Sequence, residues 1–127
     1  MKFPILQGEK AKYPDTNKCA WCKGHKAVEP HSMAILAGGA ILMNRKTGDG
    51  GPNDRLDGFL GLTWHGAHSS DGGIGVHPNI YATLEIAKDI KGGQFDIAFC
   101  STRCLRAFLN YAVDKLEEKM KRTKTRT

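Results

Sequence analysis

The spacing of apolar residues divides the 127-residue chain into a few well-marked elements. The clearest is C-terminal. Leu105, Phe108, Leu109, Ala112, Val113, Leu116 and Met120 recur mostly three and four positions apart, which is the single apolar stripe of an amphipathic helix. Ser101 stands just ahead of it, where a hydroxyl can accept an orphan N–H of the first turn. Glu117 with Lys121 and Glu118 with Arg122 are i,i+4 pairs in the favourable acid-first order. Burial of such a stripe contributes roughly 1.5–3 kcal/mol per large side chain before the entropy cost. The stripe ends near residue 120, and KRTKTRT, residues 121–127, reads as a basic flexible tail.

Upstream the period changes to two. In IYATLEIAKDI, residues 80–90, Ile80, Ala82, Leu84, Ile86 and Ile90 fall on one face, and Tyr81, Thr83, Glu85 and Asp89 on the other. Lys91-Gly92-Gly93 supplies a turn and Gln94 to Phe99 a second strand, so the segment reads as a β-hairpin. Leu56 to His65 predicts a further strand, with Phe59, Leu62 and Trp64 as its bulk. Met33 to Asn44 is almost wholly apolar, and its paired Gly38 and Gly39 favour a buried, bent strand over a helix. Two polar, Gly-rich loops separate these strands, RKTGDGGPNDR at 45–55 and AHSSDGGIGVHPN at 67–79. Pro4 and Pro14 punctuate an irregular lead-in over residues 1–18. The whole predicts an α+β fold, a small antiparallel sheet with a C-terminal amphipathic helix, in a single domain over residues 19–120.

With 40% hydrophobic and 25% charged residues, the chain is too apolar for a disordered protein and about the size of one domain. No apolar run approaches the roughly 18–20 residues that span a bilayer, and the N-terminal apolar stretch is short for a secretion signal. The expectation is a soluble cytoplasmic protein. The net charge of +6 is unevenly placed. Residues 1–26 hold six lysines against two acids, and residues 115–127 six Lys or Arg against two. The stretch between them is slightly acidic. Basic ends suit contact with a polyanion, and Lys119, Lys121, Arg122, Lys124 and Arg126 are the candidates in the tail.

The chemistry lies in the four cysteines, which come as two close pairs, Cys19-Ala-Trp-Cys22 and Cys100-Ser-Thr-Arg-Cys104. Two short-spaced pairs, each converging from one local turn, fit a closed tetrahedral Zn²⁺ site that is structural. Cys100 ends a strand and Cys104 opens a helix, where N–H groups and the helix dipole stabilise thiolate charge. Two disulfides and a Cys19–Cys22 redox pair are the competing readings. In an intracellular chain the first is disfavoured. The second lacks the strand-to-helix setting that a thioredoxin-like site requires.

A CxxC knuckle, a hairpin, and then Phe99-Cys100-Ser101-x-x-Cys104 opening a helix with Phe108 resembles the treble-clef zinc fingers, in particular the MYM/TRASH-type fingers with FCSxxC. The resemblance covers residues 19–26 and about 94–116, and implies Cys19, Cys22, Cys100 and Cys104 as the four ligands of one structural Zn²⁺. It departs from compact fingers in the 77 residues between Cys22 and Cys100, which imply an inserted or elaborated sheet. Treble clefs bind DNA, RNA or proteins, and some cleave phosphodiesters, so the resemblance implies a nucleic-acid or protein interaction module without choosing a partner.

A second cluster, His65, His68, Asp71 and His77, lies within 13 residues. Three imidazoles and a carboxylate can hold a catalytic metal with open positions, which gives the alternative reading of a metal-dependent hydrolase or nuclease. The adjacent His doublet of HNH-type nucleases is absent, and the plainer reading is a polar surface loop. Trp21 and Trp64 read as packing residues, and His25 and His31 as neighbours of the first knuckle.

Overall fold

The structure, a computed structural model, describes residues 1–28, 31–43, 55–66, 80–91 and 94–125. Among these residues six strands and one helix follow in order: β1 (Leu6–Gln7), β2 (Lys12–Tyr13), β3 (Ala34–Met43), β4 (Arg55–Gly66), β5 (Ile80–Lys91), β6 (Gln94–Phe99) and α1 (Thr102–Thr125). The fold is α+β, as the periodicities imply. The long apolar run, the Phe59–Trp64 segment, the alternating segment and the C-terminal stripe form β3, β4, β5 and α1.

The strand order is β1-β5-β4-β3-β6-β2. The central pairings are antiparallel, but β1 joins β5 and β2 joins β6 in parallel, so the sheet is mixed rather than antiparallel. The lead-in is not irregular throughout, because it supplies both edge strands. Only residues 8–11 separate those edges. Four intervening residues reach at most about 18 Å, whereas a flat six-stranded sheet is about 24 Å across. The sheet therefore cannot be flat, and its two edges lie within that reach of each other.

The expected hairpin between β5 and β6 does not form. The edges of β5 are taken by β1 and β4, and those of β6 by β2 and β3. Alternation identified both strands but says nothing of neighbours. β3 explains the arrangement: its residues 34–39 pair with β6, and residues 40–43 pair with β4. In β5 the alternation also breaks. Ala82, Leu84 and Ile86 are buried, then Ala87, then Ile90. Register shifts against β4 between Gly58 and Gly61 flip the phase, and Asp89 adopts φ 53° where it returns.

Leu6, Leu84, Ile86, Ile90, Phe95, Ile97, Phe99, Phe108 and Ala112 form the core, with Cys19, Ala20 and Ala27 of the knuckle among them. The helix lies chiefly on β5. One helix covers one face of the sheet only, so β3 is not the fully buried strand its composition suggests: Ile35 is 46% exposed. The helical stripe is likewise half covered. Phe108 and Ala112 are buried, whereas Leu109 and Val113 stay exposed. The helix runs on to Thr125, so most of the segment expected to be a flexible tail is helical. Glu118 meets Lys115 one turn earlier, Nζ to Oε2 3.4 Å. No helix among the described residues is long and apolar enough to cross a membrane.

Candidate metal centre

The first cysteine pair sits in a tight knuckle set by its own backbone. Lys18 and Lys26 form an antiparallel bridge at its mouth. Inside it, the Cys19 N–H donates to the His25 carbonyl at 2.8 Å and the Lys23 N–H to the Cys19 carbonyl at 3.0 Å. Lys23 takes φ 59°, the left-handed turn that reverses the chain directly after Cys22. The knuckle is tied to the sheet by the Ala20 N–H, which donates to the Ala98 carbonyl at 2.9 Å, two residues before Cys100.

The second pair straddles the junction of β6 and α1. Ser101 caps the helix, its Oγ accepting the Cys104 N–H at 3.2 Å. That bond fixes the first turn and, with it, the direction of the Cys104 side chain. Beneath both pairs lies a set of aromatic rings from four parts of the chain. Phe99 meets Phe108 at 5.1 Å, Phe3 meets Phe108 at 5.9 Å, and Trp21 packs on Tyr111 at 5.6 Å between centroids. Trp21 is thus a packing residue of the knuckle. The Tyr111 hydroxyl in turn donates to the Met1 carbonyl at 3.1 Å.

These supports bring Cys19, Cys22, Cys100 and Cys104 together, with all four sulfurs within 4.8 Å of one another. Cys22 Sγ is 3.7 Å from Cys100 Sγ, which is 3.6 Å from Cys104 Sγ. Four sulfurs held tetrahedrally at about 2.3 Å from one ion stand about 3.8 Å apart. A disulfide would need about 2.05 Å, and all four cysteines are free thiols. The donor set is therefore close to the spacing of a single tetrahedral ion.

The electrostatics are graded across the cluster. His25 Nδ1 lies 3.5 Å from Cys22 Sγ. Its hydrogen bond, aided by the N–H groups of Gly24 and His25, brings the Cys22 thiol down to about 5. Burial, then the neighbouring Cys104 and Cys22, pushes Cys100 up to about 12. Burial also raises Cys104, opposed by the Ser101 hydroxyl. At Cys19 burial acts in the same sense but is outweighed by the N–H groups of Cys100, Cys22 and Trp21, so its thiol is lowered. Without a metal the cluster cannot hold four thiolates side by side. A divalent cation replaces the shared protons and removes that repulsion.

The other sequence candidates fall elsewhere. His65 is exposed near the end of β4, opposite Tyr81 of β5, and is not part of the thiol cluster. His68, Asp71 and His77 lie outside the described residues, as does Arg126. Lys119 and Lys121 are exposed on α1, and Arg122 and Lys124 belong to its last turns. His31 was legible only as a neighbour of the knuckle. It joins His25 and Lys26 around a cavity of about 570 Å³ whose floor includes Cys100 and Ser101.

Comparison of the chain with known protein families, with curated proteins and with solved structures found no match.

Proposed function

We propose that the protein is a zinc-stabilised, treble-clef-like interaction module that contacts a macromolecule, nucleic acid or protein, and performs no chemistry itself. One observation carries this reading: four sulfurs from two distant segments lie within 4.8 Å of one another, near the spacing that one tetrahedral ion sets. An all-thiolate set of this geometry suits Zn²⁺ and closes its coordination shell. A catalytic zinc keeps a position open for water or substrate, and here four protein ligands fill all of them. The metal then serves as a cross-link between the knuckle and the β6–α1 junction. The hydrolase or nuclease alternative needs a second metal on His65, His68, Asp71 and His77. Among the described residues, His65 joins no cluster that could hold one.

Native mass spectrometry of the purified chain, before and after chelation, tests the reading. One zinc per chain, lost together with the compact charge-state envelope, is the expected result. Two metals, one of them removable from a protein that stays folded, would turn the reading toward an enzyme. A metal-free mass lower by four hydrogens would mean two disulfides and would overturn it.

A further inference from the structure

We propose that the face surrounding the metal centre binds the phosphate backbone of a nucleic-acid duplex, an inference that rests on the zinc-module reading and names its partner. The observation is a segregation of charge that the fold creates. The two segments that meet at the thiols, residues 17–28 and 97–113, contain Lys18, Lys23, Lys26, Arg103 and Arg106 and not one Asp or Glu. All five are exposed. In β4 and β5, by contrast, Arg55, Lys88 and Lys91 are balanced by Asp57, Glu85 and Asp89, and Lys88 is paired with Glu85 at 3.5 Å. At the β2 edge Lys10 meets Asp15 at 3.9 Å and Lys12 stands opposite Asp96.

Three of the five cations stand together on the knuckle. Lys18 and Lys26 face each other across the knuckle bridge, and Lys23 follows Cys22 directly. Lys26, His25 and His31 line the cavity that opens onto Cys100 and Ser101, at the positive end of the α1 dipole. Arg103 and Arg106 continue the charge along the first turns of the helix. A zinc bound by four thiolates carries −2, which the five side chains exceed. An extended polyanion matches this surface better than a compact one.

The same face presents no fully exposed Phe, Tyr or Trp ring on which unpaired bases could stack. Single-strand binders stack bases on exposed rings. Here Trp21 is committed to Tyr111, and Phe99 and Phe108 are fully buried. Contact is therefore with phosphates, which a duplex presents in a regular array. The face reads charge and shape, with little sequence preference.

The test titrates the zinc-loaded full chain into labelled DNA and RNA duplexes of about 20 base pairs, the corresponding single strands, and poly-glutamate, at several salt concentrations. Five phosphate contacts predict a slope of about −4.5 in log affinity against log salt on B-form DNA. In Lys18→Gln/Lys23→Asn/Lys26→Gln the slope should shrink by about 2.7, with at least about a tenfold loss at moderate salt. Arg103→Gln/Arg106→Gln, on the exposed side of a helix, should shrink it by about 1.8 and serves if the knuckle variant fails to fold. Neutralising Lys119, Lys121, Arg122, Lys124 and Arg126 together should change affinity no more than about twofold. Binding lost with those tail residues and kept in the knuckle variant would overturn the proposal. So would a preference for single strands, equal binding of poly-glutamate, or no binding by zinc-loaded protein. Zinc content measured on every variant separates these outcomes from a failure of the metal reading itself.

Discussion

At Gly38 a side chain is excluded by its partner across the strands. A Cβ built there would clash with the tip of the Phe95 ring, which lies over it in the β3–β6 pairing. The same ring approaches Gly58, where a Cβ would also stand 3.1 Å from that of Ile90. Gly38→Ala should therefore cost about 1–3 kcal/mol by overpacking, read from the urea midpoint. In a Phe95→Leu background the same substitution should cost much less, and an unchanged cost would remove the steric explanation. The paired glycines were visible in the sequence as a sign of a buried, bent strand. What approaches them was not, because it depends on which strand lies alongside. Ser101 was legible in full, since a cap needs only the residues three positions on. Ser101→Ala should lower stability by about 1 kcal/mol, and Ser101→Thr should retain most of it. A cost confined to metal affinity, with none in the metal-free chain, would reassign the hydroxyl from helix cap to thiolate donor.

Elements were legible where one residue spacing decides them, and less so where two elements must agree. The stripe from Leu105 to Met120 specified α1 correctly but not how much of it the sheet would cover. Phe108 and Ala112 are fully buried, while Leu109 and Val113 are left exposed. Phe108→Ala removes a ring fully buried between Phe3 and Phe99, so it should cost about 3–5 kcal/mol. Val113→Ala, on the same stripe, should cost less than about 1 kcal/mol because much of that side chain already meets solvent. Equal costs in chemical denaturation would mean that the exposed flank is covered in solution. The β5–β6 hairpin failed as an expectation for the complementary reason. A Gly-rich turn signal says that a strand ends, and not that the strands on either side of it pair.

The whole molecule depends on two contacts that no local pattern encodes: the return of the lead-in to both sheet edges, and the meeting of Cys22 with Cys100 across 77 residues. The second was inferable because four cysteines in two close pairs have few chemical uses, whereas Leu6 gave no comparable signal of its place in the core. The knuckle is held by the buried Cys19, Ala20 and Ala27, by its hydrogen bond to Ala98 and by Trp21 on Tyr111, and the metal would add a cross-link to these. Closing a loop of this length removes chain entropy from the unfolded state worth about 4–5 kcal/mol, by analogy with a disulfide. Chelation should therefore lower the melting temperature by about 15–20 °C. Added Zn²⁺ should restore the lost stability, and Cys104→Ser should remove that response while Val113→Ala leaves it intact. A midpoint that moves by only a degree or two on chelation would show that packing alone holds the knuckle, and that the four thiols serve some end other than stability.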